Sequence, residues 1–347
     1  MRHPVIEEDL TVITQFNLPW EEFEGKTVLI TGANGFLPAY MVETLLYLNE
    51  TRHRVATQVI GLVRNIDKAR VRFAAYQNRS DLRFIVQDVS MPMTIDVQVD
   101  YIVHAASQAS PKYFGSDPIG TLSANVLGTH HLLCLAQEHQ VKGFLYFSSS
   151  EVYGQVDRVP IDELAYGYLD PTDVRSCYAE SKRMGETMCV AYAHQSGVPA
   201  KIVRPFHTYG PGMSLNDGRV FADFVADIVG NLHIVMKSDG SSTRSFCYLA
   251  DAVMGFFTVL LRGKTGQAYN IGNAEGEMSI VDLANMLVAL FPEKKLSVIR
   301  DEHAITAGYL RSKITRHCPD ISKVQQIGWQ PTISPAVGFA RTIRSFA

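Results

Sequence analysis

The sequence predicts an α/β fold, a doubly wound parallel sheet with a smaller C-terminal lobe. Three observations predict it. Short apolar runs alternate with longer segments of helical period over the first half of the chain. The first of these runs breaks into a turn that contains Gly32 and Gly35. Past residue 170 the alternation loosens into short runs separated by turns such as YGPGMSLNDGR and SDGSS.

The elements follow in order. MRHPVIEEDLTVITQFNLPWEEFEGK is acidic and lacks the apolar stretch of a leader peptide, so it reads as a short helical extension and not a secretory signal. TVLITGANGF is the first strand with its glycine turn, and LPAYMVETLLYLNE has helical spacing. TQVIGLVR, LRFIVQDV and VDYIVHAAS are the second, third and fourth buried strands. TLSANVLGTHHLLCLAQEHQ is a long helix and GFLYFSSS the fifth strand. SCYAESKRMGETMCVAYAHQSG is again a helix, and PAKIVRPFH is the sixth strand. DISKVQQIGWQP reads as a small helix ended by Gly328 and Pro331. The expected organisation is an extension over 1–25, a core over 26–175, and a segment 176–347 that completes the core and supplies the lobe.

Composition narrows the function. The 347 residues are 46% hydrophobic, as in ordinary globular proteins. A net charge of -3 offers no basic surface for nucleic acid. No apolar run approaches the ~20 residues needed to span a membrane. Cys134, Cys177, Cys189, Cys247 and Cys318 have no CxxC spacing and sit mostly in apolar segments. That fits reduced thiols in a cytoplasm, with neither a disulfide framework nor a metal site.

The turn TGANGFLP joins a strand to a helix. There, glycines let the backbone approach a pyrophosphate seated on the helix N-terminus. This is the placement of a Rossmann-type dinucleotide site. The third glycine position holds Pro38, which a first helical turn tolerates; looser packing of that helix on the sheet is the expected consequence. An acid after the second strand would bind the adenosine ribose of NAD. Arg64 stands there instead and suits a 2′-phosphate, so NADP stays open beside NAD. Tyr178 and Lys182 are four residues apart on a helix and share a face. A neighbouring ammonium favours phenolate, so the tyrosine is expected to titrate lower and act as a base. The lysine also suits a nicotinamide ribose, and Ser149 is placed to hydrogen-bond the same substrate hydroxyl.

TGANGF, HAAS, SSSEVYG, YAESK, RPFHTYGPG, TRSFCYLADAV, NIGN and IGWQP run in this order from about residue 26 to the C-terminus. Together they resemble the extended short-chain dehydrogenase/reductases that act on nucleotide sugars. The resemblance implies an enzyme with transient oxidation at C4 of the sugar and a tightly held nicotinamide cofactor, which is expected to be NAD despite Arg64 because a retained cofactor need not exchange with a diffusible NADPH pool. It also implies a homodimer built on two long helices per chain and a role in polysaccharide precursor synthesis. It sets the cofactor against Gly32, Asn34, Gly35, Phe36, Leu37, Arg64, Asp88, Val89, Ala105, Ala106, Ser107, Asn125, Ser148, Tyr178, Lys182 and Pro205, with Asp88 toward the adenine.

Within that superfamily, RSCYAESKRMGETMC, LNDGRVFADF and the Ser150–Glu151 pair are most similar to UDP-glucuronate decarboxylases. Dehydratases carry an aspartate where Ser150 stands, and simple 4-epimerases usually lack an acid at Glu151. Oxidation at C4 turns a C5 carboxylate into a β-keto acid. Loss of carbon dioxide leaves an enolate that must be protonated, and Glu151 lies by analogy near that ring. The implied catalytic set is Tyr178, Lys182, Ser149, Ser150 and Glu151. The implied substrate contacts are Glu151, Arg175, His207, Arg219 and Arg244, with Arg244 and Arg219 on the diphosphate and Arg175 on a sugar carboxylate. His207 replaces the family's usual asparagine. Dehydration and epimerisation at C3, C4 or C5 stay open, and so does a non-catalytic cofactor-binding regulator. The intact Ser149, Tyr178 and Lys182 argue against the last.

Overall fold

The computed structural model describes residues 2–300 and 315–346. The six expected runs form β1 (Thr27–Thr31), β2 (Gln58–Val63), β3 (Leu82–Val86), β4 (Tyr101–His104), β5 (Gly143–Phe147) and β6 (Ala200–Pro205). Then come β7 (His207–Tyr209), β8 (Ile234–Met236), β9 (Thr243–Tyr248), β10 (Ala268–Ile271), β11 (Glu277–Ser279), β12 (Val298–Arg300) and β13 (Arg316–His317). The principal sheet has seven strands in the order β10-β6-β5-β4-β1-β2-β3, all parallel. The chain runs outward from β1 through β2 and β3, then restarts on the other side at β4. The crevice between the carboxyl ends of β1 and β4 is therefore the switch point where such sheets bind ligands. The seventh strand, β10, was not expected from sequence, because AYNI is too short to stand out.

The helices are α1 (Pro4–Gln15), α2 (Phe36–Thr51), α3 (Ile66–Arg72), α4 (Lys112–Ser116), α5 (Pro118–Glu138) and α6 (Ser176–Ser196). They continue with α7 (Val220–Val229), α8 (Leu249–Arg262), α9 (Ile280–Ala289), α10 (Ser322–Gln325) and α11 (Pro335–Arg344). Alternate residues of a strand face opposite sides of the sheet, and the core divides accordingly. Val28, Ile30, Val59 and Val103 join a cluster with Tyr40 and Leu45 of α2 and Phe256 of α8. Leu29, Ile60, Leu62 and Ile102 join another with Leu132 and Leu133 of α5 and Cys189 of α6. Covering both faces is what lets these strands be apolar at nearly every position. Helix α8 is mostly apolar, and every residue from Leu249 to Leu260 is buried, Asp251 among them bonded to Thr332 and Ile333.

The looser packing expected from Pro38 is not found. Pro38 and every residue from there to Leu46 are buried, because a proline in the first helical turn forfeits no hydrogen bond. A smaller sheet centres on β9, which pairs in parallel with β7 and β13 and antiparallel with β11. It carries His207, Arg244 and His317 to one end of the crevice.

Candidate active site

The carboxyl ends of the central strands open into one cavity of about 470 Å³. The turn after β1 forms its base through Gly32, Asn34, Gly35, Phe36 and Leu37. Gly32 has φ +63, and a Cβ there would come within 2.9 Å of Ala106 Cα. Only glycine fits a left-handed residue pressed against neighbouring backbone. Gly35 stands at the N-terminus of α2, whose free amides favour an anion.

Thr31 closes the crevice from beneath. Its Oγ1 accepts hydrogen bonds from the amides of Ala105 and Ala106 at 3.2 and 3.1 Å and meets His104 Nδ1 at 2.9 Å. His104 Nε2 in turn lies 3.1 Å from Thr129 Oγ1. Burial pushes His104 down to about 3, so this clamp between β1 and β4 is uncharged. Ala105, Ala106 and Ser107 continue the wall, and the Ser107 Oγ is buried without a partner among the described residues. A bare-backbone turn, a helix N-terminus and an unanswered hydroxyl in the wall fit a nicotinamide dinucleotide.

At the far end Arg64 lines the cavity with Asn65, Lys68 and Val89. Asp88 does not line it. It lies 3.9 Å from Arg64 with both side chains well exposed, and Gln87 and Val89 take the wall positions beside it. Asn125 is also off the wall. Its Nδ2 donates to Ser181 Oγ at 2.9 Å within the core, while its Oδ1 is buried without a partner among the described residues.

Ser148, Ser149, Tyr178, Lys182, Pro205 and Arg219 meet at the other end. Tyr178 stacks on Phe114 of α4, with ring centroids 4.8 Å apart. The expected lowering of Tyr178 is reversed: burial pushes the phenol up, against a hydrogen bond with Ser149 and the charge of Arg219. Lys182 does not offset this, because burial acts on it too and pulls it down to about 7. Its ammonium lies 5.8 Å from the Tyr178 ring and donates to Phe147 O at 2.7 Å. Arg219 pairs with Asp217 at 3.2 Å.

The remaining expected residues do not line the cavity. Ser150 and Glu151 begin a 3-10 turn, Ser150–Tyr153, which Ser149 caps by accepting from the Glu151 amide. The Glu151 charge reaches Tyr178 and opposes its ionisation. Arg175 precedes α6, its amide bonded to Asp173. His207 sits edge-on to Phe221, which does line the cavity. Arg244 lies on β9 opposite His317, its Nη1 donating to Thr243 O at 2.7 Å.

His317 was not foreseen. It stacks on Phe206 at 4.7 Å, meets His207 edge-on at 5.6 Å and hydrogen-bonds the Ser150 backbone. Both imidazoles keep a buried Nδ1 without a partner among the described residues. Burial and the Arg244 charge hold His317 at about 4 and His207 well below its ordinary value. No local pattern marks His317, since it reaches the site only through the pairing of β13 with β9. Glu186 had a signal that went unused: it extends the 178, 182 spacing by one more turn.

Residues 28–272 match the model of the NAD dependent epimerase/dehydratase family. UDP-glucuronic acid decarboxylase 6 of Arabidopsis thaliana is 34% identical over 309 residues, 88% of this chain and 84% of that protein. UDP-glucuronic acid decarboxylase 1 of Danio rerio is 32% identical over 327 residues, 94% of this chain and 74% of that protein. Among solved structures, a dTDP-glucose 4,6-dehydratase of Streptomyces venezuelae, with NAD bound, superposes with a TM-score of 0.74 at 26% identity. It covers 92% of this chain and 96% of its own. With its glycine turn at the switch point and a tyrosine and lysine on the facing helix, this chain belongs to the NAD dependent epimerase/dehydratase family.

Proposed function

We propose that the protein is a NAD-dependent nucleotide-sugar enzyme whose reaction is the decarboxylation of UDP-glucuronate or a closely related nucleotide uronate. One observation carries the choice of reaction. A carboxylate, Glu151, sits on the turn capped by Ser149, close enough for its charge to act on Tyr178. The relatives named for that reaction support it.

A bound nicotinamide supplies reversible two-electron oxidation of a sugar carbon. The turn from Gly32 to Leu37 holds its pyrophosphate, and Lys182 holds the ribose beside Tyr178. Ser149 orients the sugar O4, and Tyr178 takes the proton from that oxygen and later returns it. The C5 carboxylate, now β to a ketone, leaves as carbon dioxide. Glu151 takes up a proton from solvent and passes it to C5. Arg219 and Arg244 face the diphosphate, where guanidinium forks suit phosphate oxygens, and Arg175 meets the sugar carboxylate. Exposed Leu122 and Leu127 on α5 and Met184 and Val190 on α6 support a homodimer through these two helices. The five free thiols fit a reducing cytoplasm.

The test is incubation of the purified protein with UDP-glucuronate, followed by NMR of the sugar and measurement of carbon dioxide. Carbon dioxide with a UDP-pentose or UDP-4-keto-pentose is expected, and Tyr178→Phe should cut turnover by about a hundredfold or more. A protein that retains NAD yet releases no carbon dioxide would overturn the decarboxylase reading. A dehydrated or epimerised sugar would then name the reaction.

A further inference from the structure

Three consecutive residues leaving β5 each hold one residue of α6. Phe147 O accepts from Lys182 Nζ, Ser148 Oγ donates to Glu186 Oε1, and Ser149 hydrogen-bonds Tyr178. Tyr178, Lys182 and Glu186 stand at i, i+4 and i+8, one above another on the same helix face. The first two form the pair described above. The third is a carboxylate that this chemistry leaves unused.

Glu186 is firmly held. Arg204 of β6 grips it with two parallel bonds, Nε to Oε1 at 2.8 Å and Nη2 to Oε2 at 2.6 Å. Arg204 is 5% exposed, and its Nη1 donates to the Tyr153 hydroxyl and to Glu163 O, each at 3.0 Å. Tyr153 donates to Asn270 Oδ1 on β10. The carboxylate is thus fixed from β6 and from Ser148 directly, and its Arg204 partner is braced through Tyr153 against β10.

We propose that Glu186 is a positioning residue for Lys182: it keeps the lysine an ammonium in the floor of the cavity while Tyr178 takes and returns its proton. The groups facing Lys182 leave no other candidate among the described residues. His104 from β4 is neutral, because burial pushes it down to about 3. Tyr146 from β5, whose ring lies 5.1 Å from Nζ, and Cys189 from α6 are both pushed well up by burial and stay protonated. Tyr178 is pushed up as well. Thr129 of α5, behind His104, and Asn125, bonded to Ser181, carry no charge, and the Arg204 guanidinium is turned onto Glu186. Burial pulls Lys182 down to about 7, and Glu186 is the foremost group opposing it. Without that negative charge, burial wins and the lysine loses its proton at lower pH.

The inference rests on the reading of Tyr178 and Lys182 as the catalytic pair, and its test separates the two. The pH dependence of kcat/KM is measured for the wild type, for Glu186→Gln and for the double variant Glu186→Gln with Arg204→Met. Glutamine keeps the size and an acceptor for Ser148. The double variant removes both members of a buried ion pair, which avoids leaving a guanidinium buried alone. In Glu186→Gln the alkaline limb, where Lys182 deprotonates, should move down by one pH unit or more, and in the double variant, which loses the Arg204 positive charge as well, it should move down by less. For Glu186→Gln that is about a tenfold loss at pH 8.5 beyond any loss at pH 6. A limb that stays in place, or profiles lowered equally at every pH, would mean that Glu186 only supports the fold, and would overturn the proposal. If no sugar is turned over, the catalytic reading fails on its own. The Lys182 Cε signal of 13C-lysine-labelled protein, assigned with Lys182→Arg, then decides: a lower titration midpoint in Glu186→Gln supports the inference, and an unmoved one refutes it.

Discussion

Arg64 is the residue on which the choice of cofactor turns. It lines the adenosine end of the cavity where an acid would grip the ribose hydroxyls, and Lys68 lines the same end. Its 3.9 Å pairing with Asp88 is exposed, so it contributes little and leaves the guanidinium available to a phosphate. If the glycine turn and the walls hold NAD, Arg64 is the group that would accept a 2′-phosphate. In a fluorescence titration the wild type should bind both NADH and NADPH. Arg64→Asp should lose about tenfold or more in NADPH affinity and little in NADH, since a charge-assisted bond is worth roughly 1.5–3 kcal/mol. Equal losses for the two cofactors would sink the assignment. At this scale the sequence is legible where chemistry is local. Tyr178 and Lys182 are one turn apart, and Ser149 follows a strand by two residues. The direction of the tyrosine's shift was not legible, because its burial depends on Phe114, 64 residues away in the chain.

Helix α6 and strand β5 work as a unit, and their spacing sets the site. Gly185 is where they come closest: a Cβ there would meet the Tyr146 hydroxyl at 2.1 Å. Tyr146 is fully buried, so it has nowhere to retreat. Gly185→Ala should push α6 off β5 and carry Tyr178 and Lys182 away from Ser149 and Phe147. A displacement near 1 Å costs up to about a hundredfold in rate. The expectation is a fall of at least tenfold in kcat, with Tyr178→Phe in the same background adding far less than it does alone. Unchanged kcat would show that the pair tolerates a wider gap. In sequence Gly185 is only a glycine inside a helical pattern, and its reason appears once Tyr146 stands opposite. The same limit hid β10 and β13. Each is a short run whose partner, β6 or β9, lies more than 60 residues away, so pairing and not propensity makes it a strand.

Across the whole molecule, four distant segments meet at one carboxylate. Asp9 of α1 is fully buried. It accepts from the Tyr40 hydroxyl of α2 at 3.1 Å, from the Tyr248 hydroxyl at the end of β9 at 2.7 Å, and from Arg341 of α11 at 3.0 Å. The N-terminal helix is thereby tied to the helix that begins at the glycine turn, to the strand that carries Arg244, and to the last helix. Burial outweighs these three partners and pushes Asp9 up from 3.8 to about 6. For an acid raised on folding, the stability its proton contributes is complete below about pH 3.8 and is lost as pH rises through about 6. Arg341→Met removes the one positive charge among the partners. The folded-state value then climbs further while the unfolded one stays, so the gap widens and the penalty grows with pH. At neutral pH and above, stranding a buried carboxylate should cost about 3 kcal/mol. Thermal melts should therefore show a deficit in Tm for Arg341→Met that is larger at pH 8 than at pH 5. Asp9→Asn combined with Arg341→Met should recover most of it at pH 8, because no buried charge is left to strand. A deficit independent of pH would mean that Arg341 contributes packing alone, and that the meeting of the four segments does not depend on charge.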